Sequence, residues 1–199
     1  MLGAKCRVWR DAGAARRLGL HPMMRALLVL GLGAFGLGLA ACDPVLDDGV
    51  AALGPETPPG VRPGPLHRPG QPCLLCHDGA FGDPRAFSVA GTVFQTPSSL
   101  DASVGATILL TDSTDSGPPR PPTTNAAGNF YVPAQDWTPT FPLRVVVQSA
   151  AGNRVQMWSP IGGGSEVLGG ACATCHKDPA GPDSPGHVYL ELDDGGVPR

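Results

Sequence analysis

The stretch Ala86-Phe87-Ser88-Val89-Ala90-Gly91-Thr92-Val93-Phe94 decides the fold class. It alternates, carries β-branched residues and lies between Gly- and Pro-containing runs, which is the pattern of a strand and not of a helix. Working outward, residues 104–111 contain Thr107-Ile108-Leu109-Leu110, and residues 143–149 contain Val145-Val146-Val147. Asn125-Ala126-Ala127-Gly128-Asn129 supplies a turn before Phe130-Tyr131-Val132, and Gly152-Asn153 supplies another before residues 154–159. The last candidate strand is His187-Val188-Tyr189-Leu190-Glu191-Leu192. Val188, Leu190 and Leu192 would share one face of it, so His187 and Tyr189 are expected to point away from the core. About six short strands with Gly and Pro punctuation predict a mainly β protein, a small antiparallel β-sandwich. Composition agrees, because 28 Gly and 23 Pro in 199 residues leave little room for long helices.

Part of this pattern resembles a known domain. Ala90-Gly91-Thr92-Val93, then Val104-Gly105-Ala106-Thr107-Ile108-Leu109-Leu110-Thr111-Asp112, then Thr123-Thr124 and Gly128-Asn129-Phe130 are similar to the carboxypeptidase regulatory-like domain, over about residues 87–158. The resemblance implies a β-sandwich used as a non-catalytic scaffold or binding module. The Pro-rich insertion at 112–122 and the cysteine motifs that flank the stretch depart from that family.

Ahead of the sandwich lies a segment of different character. Met23-Met24-Arg25 is followed by an apolar run at 26–41 and then Cys42, the layout of an export signal. The run is short for a membrane span. Leu39-Ala40-Ala41-Cys42 resembles the lipobox of bacterial lipoproteins, which implies a signal peptide over 1–41, a lipid on Cys42 and a chain held to a membrane by that lipid. Since a complete signal begins at Met23, the true start is expected there, with a long basic leader over 1–22 as the alternative. Residues 42–72 carry Gly54-Pro55, Pro58-Pro59, Pro63-Gly64-Pro65 and Pro69-Gly70 and read as a Pro-rich tether without helix. The expected location is the cell envelope, anchored to the inner or outer membrane and facing the periplasm or the cell surface. Residues 1–41 hold six of the 14 basic groups, and the remainder carries eight basic against 16 acidic, so no electrostatic basis exists for binding nucleic acid.

Four further cysteines carry the strongest chemical signal. They form Cys73-Leu74-Leu75-Cys76-His77 and Cys172-Ala173-Thr174-Cys175-His176, one motif at each end of the domain over 73–199. Both are CxxCH, which resembles the haem-attachment motif of c-type cytochromes: two thiols reach the two vinyl groups and the adjoining His ligates iron. The resemblance implies two covalent haems held by Cys73, Cys76, Cys172 and Cys175, with His77 and His176 on the irons, in loop-rich segments at both ends of the sandwich. Beyond the leader only His67 and His187 remain as spare histidines, ten or eleven residues from a motif His, so each iron has a candidate second imidazole. Met157 is the alternative sulfur ligand, although its strand-like surroundings also suit a core side chain. Paired CxxC segments also suit disulfides, or a single zinc held by four thiolates. The His after each second Cys is superfluous to such a zinc site.

No Gly-x-Ser-x-Gly elbow, His-Glu-x-x-His helix or phosphate-binding Gly loop with Lys occurs. Trp137 and Trp158 read as core or haem-shielding aromatics, core foremost. The expectation is therefore an electron-transfer lipoprotein with two haems and redox partner proteins, more carrier than catalyst. The alternative is a structural or ligand-binding sandwich whose CxxC pairs act as disulfide or zinc staples.

Overall fold

A computed structural model describes residues 44–55, 59–60, 62, 64–79, 85–162 and 169–196. The expected signal peptide over 1–41 and the expected lipid attachment at Cys42 lie outside the described residues. The chain is mainly β. Strands β1 (Phe87–Phe94), β2 (Thr107–Thr111), β3 (Asn129–Pro133), β4 (Arg144–Gln148), β5 (Arg154–Gln156) and β6 (Val188–Tyr189) form two three-stranded sheets, ordered β3-β1-β6 and β2-β4-β5.

Strand periodicity explains how the sheets close on each other. In β4, Val145 and Val147 are buried and Val146 between them is not, so the run of three valines contributes alternate side chains to the core. Ile108 and Leu110 of β2, Phe130 and Val132 of β3 and Val89 and Val93 of β1 complete one cluster, with Leu143 and Leu190. Antiparallel pairing sets Ile108 opposite Val147 and Gly91 opposite Phe130, which brings the apolar set of each strand onto one face. Five of the strands match the expected segments within a few residues.

The sixth does not follow the expectation. Of residues 187–192 only Val188 and Tyr189 pair, and they run parallel to β1, with Val93 beside Val188 and Phe94 beside Tyr189. Parallel pairing follows from a long return rather than a hairpin, since β5 and β6 are separated by the whole second CxxCH segment. Trp158, expected in the core, is 90% exposed, whereas Trp137 and Met157 pack against the core as half-buried side chains.

The segment expected to contain no helix holds one. Helix α1 spans Pro44–Ala52, with its proline in the first turn, where the missing N–H belongs to no intrahelical bond. Residues 45–53 contain no further proline. Gly54 at φ 70° and Pro55 then end the helix. The tether composition begins only there.

β1 is buried on both faces, unlike the other strands. Val89 and Val93 enter the sandwich core, while Ala90 belongs to a second cluster with Leu74 and Ala171. The outer face is covered by residues 64–77. The Gly70 N–H donates to Thr92 Oγ1 (2.8 Å), and Asn129 Nδ2 donates to the His67 carbonyl (2.9 Å). Thr92 in turn donates to Asn129 Oδ1 at 2.7 Å, so these buried polar groups satisfy one another.

The Pro-rich insertion is organised by one carboxylate. Asp112 Oδ1 accepts from the Thr114 hydroxyl and from the Thr114 and Ser116 N–H groups, and Oδ2 accepts from Thr140 N–H. The Thr114 hydroxyl, foremost among these donors, holds the Asp112 carboxyl down to about 2.

Candidate functional site

The two CxxCH segments adopt the same local structure. Cys73–Leu75 and Cys172–Thr174 are each a single 3-10 turn, entered from an extended residue (Pro72, Ala171) and left through a second Cys in the right-handed helical region. In the first, His77 N–H donates to the Cys73 carbonyl at 3.0 Å; in the second, His176 N–H donates to the Cys172 carbonyl at 2.9 Å. Such a turn needs a tight i to i+3 closure, and two intervening residues between the cysteines provide it. The residue after the first Cys faces inward in both, as Leu74 and Ala173 are buried.

The side chains repeat the likeness. Cys73 and Cys172 are half-buried, and Cys76 and Cys175 are exposed; all four are thiols. Burial pushes the Cys73 thiol up to about 11 and the Cys172 thiol up to about 12, and neighbouring Cys73 adds to the rise at Cys172. Each motif imidazole is held through Nδ1 by a backbone carbonyl: His77 by Arg85 at 3.2 Å and His176 by Gly186 at 2.9 Å. A carbonyl only accepts, so Nδ1 carries the proton and the lone pair resides on Nε2. This is the arrangement in which a second partner fixes the tautomer and orientation of a metal-binding histidine.

The fold brings the two motifs together, although nearly the whole sandwich separates them in sequence. Ala90 N–H donates to the Gly170 carbonyl at 2.9 Å, and Ala90 and Ala171 form a parallel bridge. Leu74 packs on both alanines, with Cys73 and Phe87 at the margin of the same cluster. Small residues make this approach possible. A Cβ on Gly91 would lie 2.8 Å from Cys172 Sγ, and one on Gly170 would land on the Ser88 carbonyl oxygen.

His67 also comes to the first motif. Its ring centre lies 6.1 Å from that of His77, with 45° between the planes. His77 stacks on Phe87 at 4.6 Å, and Phe87 on the half-exposed Tyr131 at 4.7 Å, which walls one side of the first site with aromatic rings. His187 is placed differently. It is 7% exposed, its Nε2 donates to the Thr96 carbonyl at 2.9 Å, and its Nδ1 meets Asp178 Oδ2 at 2.8 Å. Phe94 and Tyr189 pack against its ring. The ring is buried, but by groups outside the cluster that takes Val188 and Leu190, so it lies off the sandwich-core face as strand alternation predicts.

No family model, curated protein or solved structure matches the chain. The reading of the site accordingly rests on its own chemistry. The residues fit what a thioether-held haem requires: two thiols on one turn, and beside them an imidazole whose lone pair is on Nε2. Arg85 and Gly186 also shape the site and are not singled out in the sequence. Arg85 and Gly186 act through backbone carbonyls, which carry no residue signature.

Proposed function

We propose that this chain is a lipid-anchored dihaem c-type electron carrier of the cell envelope. The observation that carries the reading is the repetition of one structure at two adjoining places: the same 3-10 turn, the same thiol exposure and the same Nδ1-to-carbonyl restraint. A disulfide or an isolated metal staple does not require an oriented imidazole after each second Cys. Bound haem would supply one-electron cycling between ferric and ferrous iron, and the protein's contribution is attachment, axial ligation and shielding. Cys73, Cys76, Cys172 and Cys175 would hold the groups, and His77 and His176 would ligate them. Phe87 and the Leu74–Ala90–Ala171 cluster supply the apolar packing beside the two turns. Redox partner proteins at the envelope would exchange the electrons, and Cys42 would bear the lipid.

The histidines test the assignment. His77→Ala and His176→Ala, produced with c-type maturation, are each expected to remove or perturb about half of the haem absorbance and leave the other half. Unchanged visible spectra in both variants would refute the axial roles.

A further inference from the structure

We infer that the two sites are ligated unequally: His67 is the second axial ligand opposite His77, whereas His187 is a structural side chain, so the site at His176 keeps one axial position for a small exogenous ligand of the carbon monoxide type. The inference rests on the dihaem reading above and adds to it a difference between sites whose sequence motifs are alike.

At the first site the second imidazole is already in place. Two imidazoles on opposite sides of one metal, each with a nitrogen about 2 Å from it, would set their ring centres roughly 6 Å apart. His67 and His77 stand at 6.1 Å. The backbone that carries His67 is fixed at several points, which turns proximity into a defined position. Its N–H donates to the Gly64 carbonyl (3.1 Å) and its carbonyl accepts from Asn129 Nδ2 (2.9 Å). Next to it, Arg68 reaches the Gly54 carbonyl at 2.9 Å and Gln71 Oε1 at 2.7 Å.

At the second site the spare histidine is committed elsewhere. His187 Nε2 donates to the Thr96 carbonyl, a group that only accepts, and Nδ1 faces the Asp178 carboxylate oxygen. Turning either nitrogen to a metal would break a hydrogen bond of 2.8 or 2.9 Å made by a ring that is itself buried. The ring contacts of His187 are Phe94 and Tyr189, not His176. These contacts fasten the start of β6 to the end of β1, a structural task. Met157, the sulfur alternative, packs on the sandwich core.

The test uses the full chain matured with haem. Haem content is measured first, by pyridine haemochrome; fewer than two haems per chain would overturn the dihaem reading, and this inference with it. On two-haem protein reduced with dithionite, titration with carbon monoxide is expected to stop at one equivalent per chain, with about half of the Soret absorbance shifted. His67→Ala should raise the count to two. His187→Ala should leave it at one. A count of zero or two for the unaltered protein would overturn the inference, as would a count that stays at one in His67→Ala or rises to two in His187→Ala. Because the unaltered protein decides by itself, a variant that fails to fold does not remove the test.

Discussion

Gly170→Ala is expected to lower the stability of the domain by about 3 kcal/mol or more, the largest effect of any single methyl group near the site. The added Cβ would land on the Ser88 carbonyl oxygen, 2.9 Å from the Ser88 carbonyl carbon and 3.1 Å from Val89 Cα. All three atoms belong to the backbone of β1, so no side chain can turn aside to make room. Residues 169–172 would have to retreat, and the Ala90 N–H, buried beside Leu74, would lose the Gly170 carbonyl. An unpaired buried N–H alone costs about 1–3 kcal/mol. Thermal unfolding followed by circular dichroism checks this. A melting point within one degree of the parent would mean that the second CxxCH segment does not lie on β1.

Leu74→Ala comes next. Leu74 is 3% exposed and fills the space between Ala90 and Ala171, neither of which can extend into the volume it leaves. Removing a buried leucine side chain costs about 2–5 kcal/mol, and the upper part of that range applies where the surroundings cannot collapse. For a domain of this size each kcal/mol lowers the melting point by about 2–4 °C. The loss should be larger than for Leu75→Ala, because Leu75 is only half-buried. Equal melting points for the two variants would contradict the packing of the two turns through Leu74.

The strands were legible because their signals are local. Val145-Val146-Val147 shows its alternate burial as soon as a strand is assumed, and the Gly-Asn turns mark where chains reverse. β1 announced itself as a strand but not as one covered on both sides. Its Ala90 and Gly91 read as weak strand residues, and only the approach of Leu74 and Cys172 explains why nothing larger stands there. The CxxCH spacing likewise disclosed the candidate chemistry, whereas the meeting of the two motifs depends on contacts across almost the whole domain. Loop-closing contacts of that length leave no periodic trace in a sequence.

Strand alternation sets His187 off the core face, and it lies there, but its burial by Thr96, Phe94 and Asp178 depends on non-local partners that alternation does not show. Trp158 was placed in the core on hydrophobicity alone, and β5 ends before it. The helix Pro44–Ala52 was obscured by the prolines that follow it, because composition averaged over 42–72 hides a run of nine residues without an interior proline.

The central claim is that two adjoining CxxCH turns each hold a covalent haem. Its most direct test is the intact mass of the full chain, expressed with its own signal in a bacterium with c-type cytochrome maturation, together with the pyridine haemochrome spectrum. The account predicts the mass of the lipidated chain plus two haems, and two haems per chain by absorbance. A mass without haem, with the four cysteines oxidised or bound to another metal, would contradict it and leave a stapled β-sandwich lipoprotein.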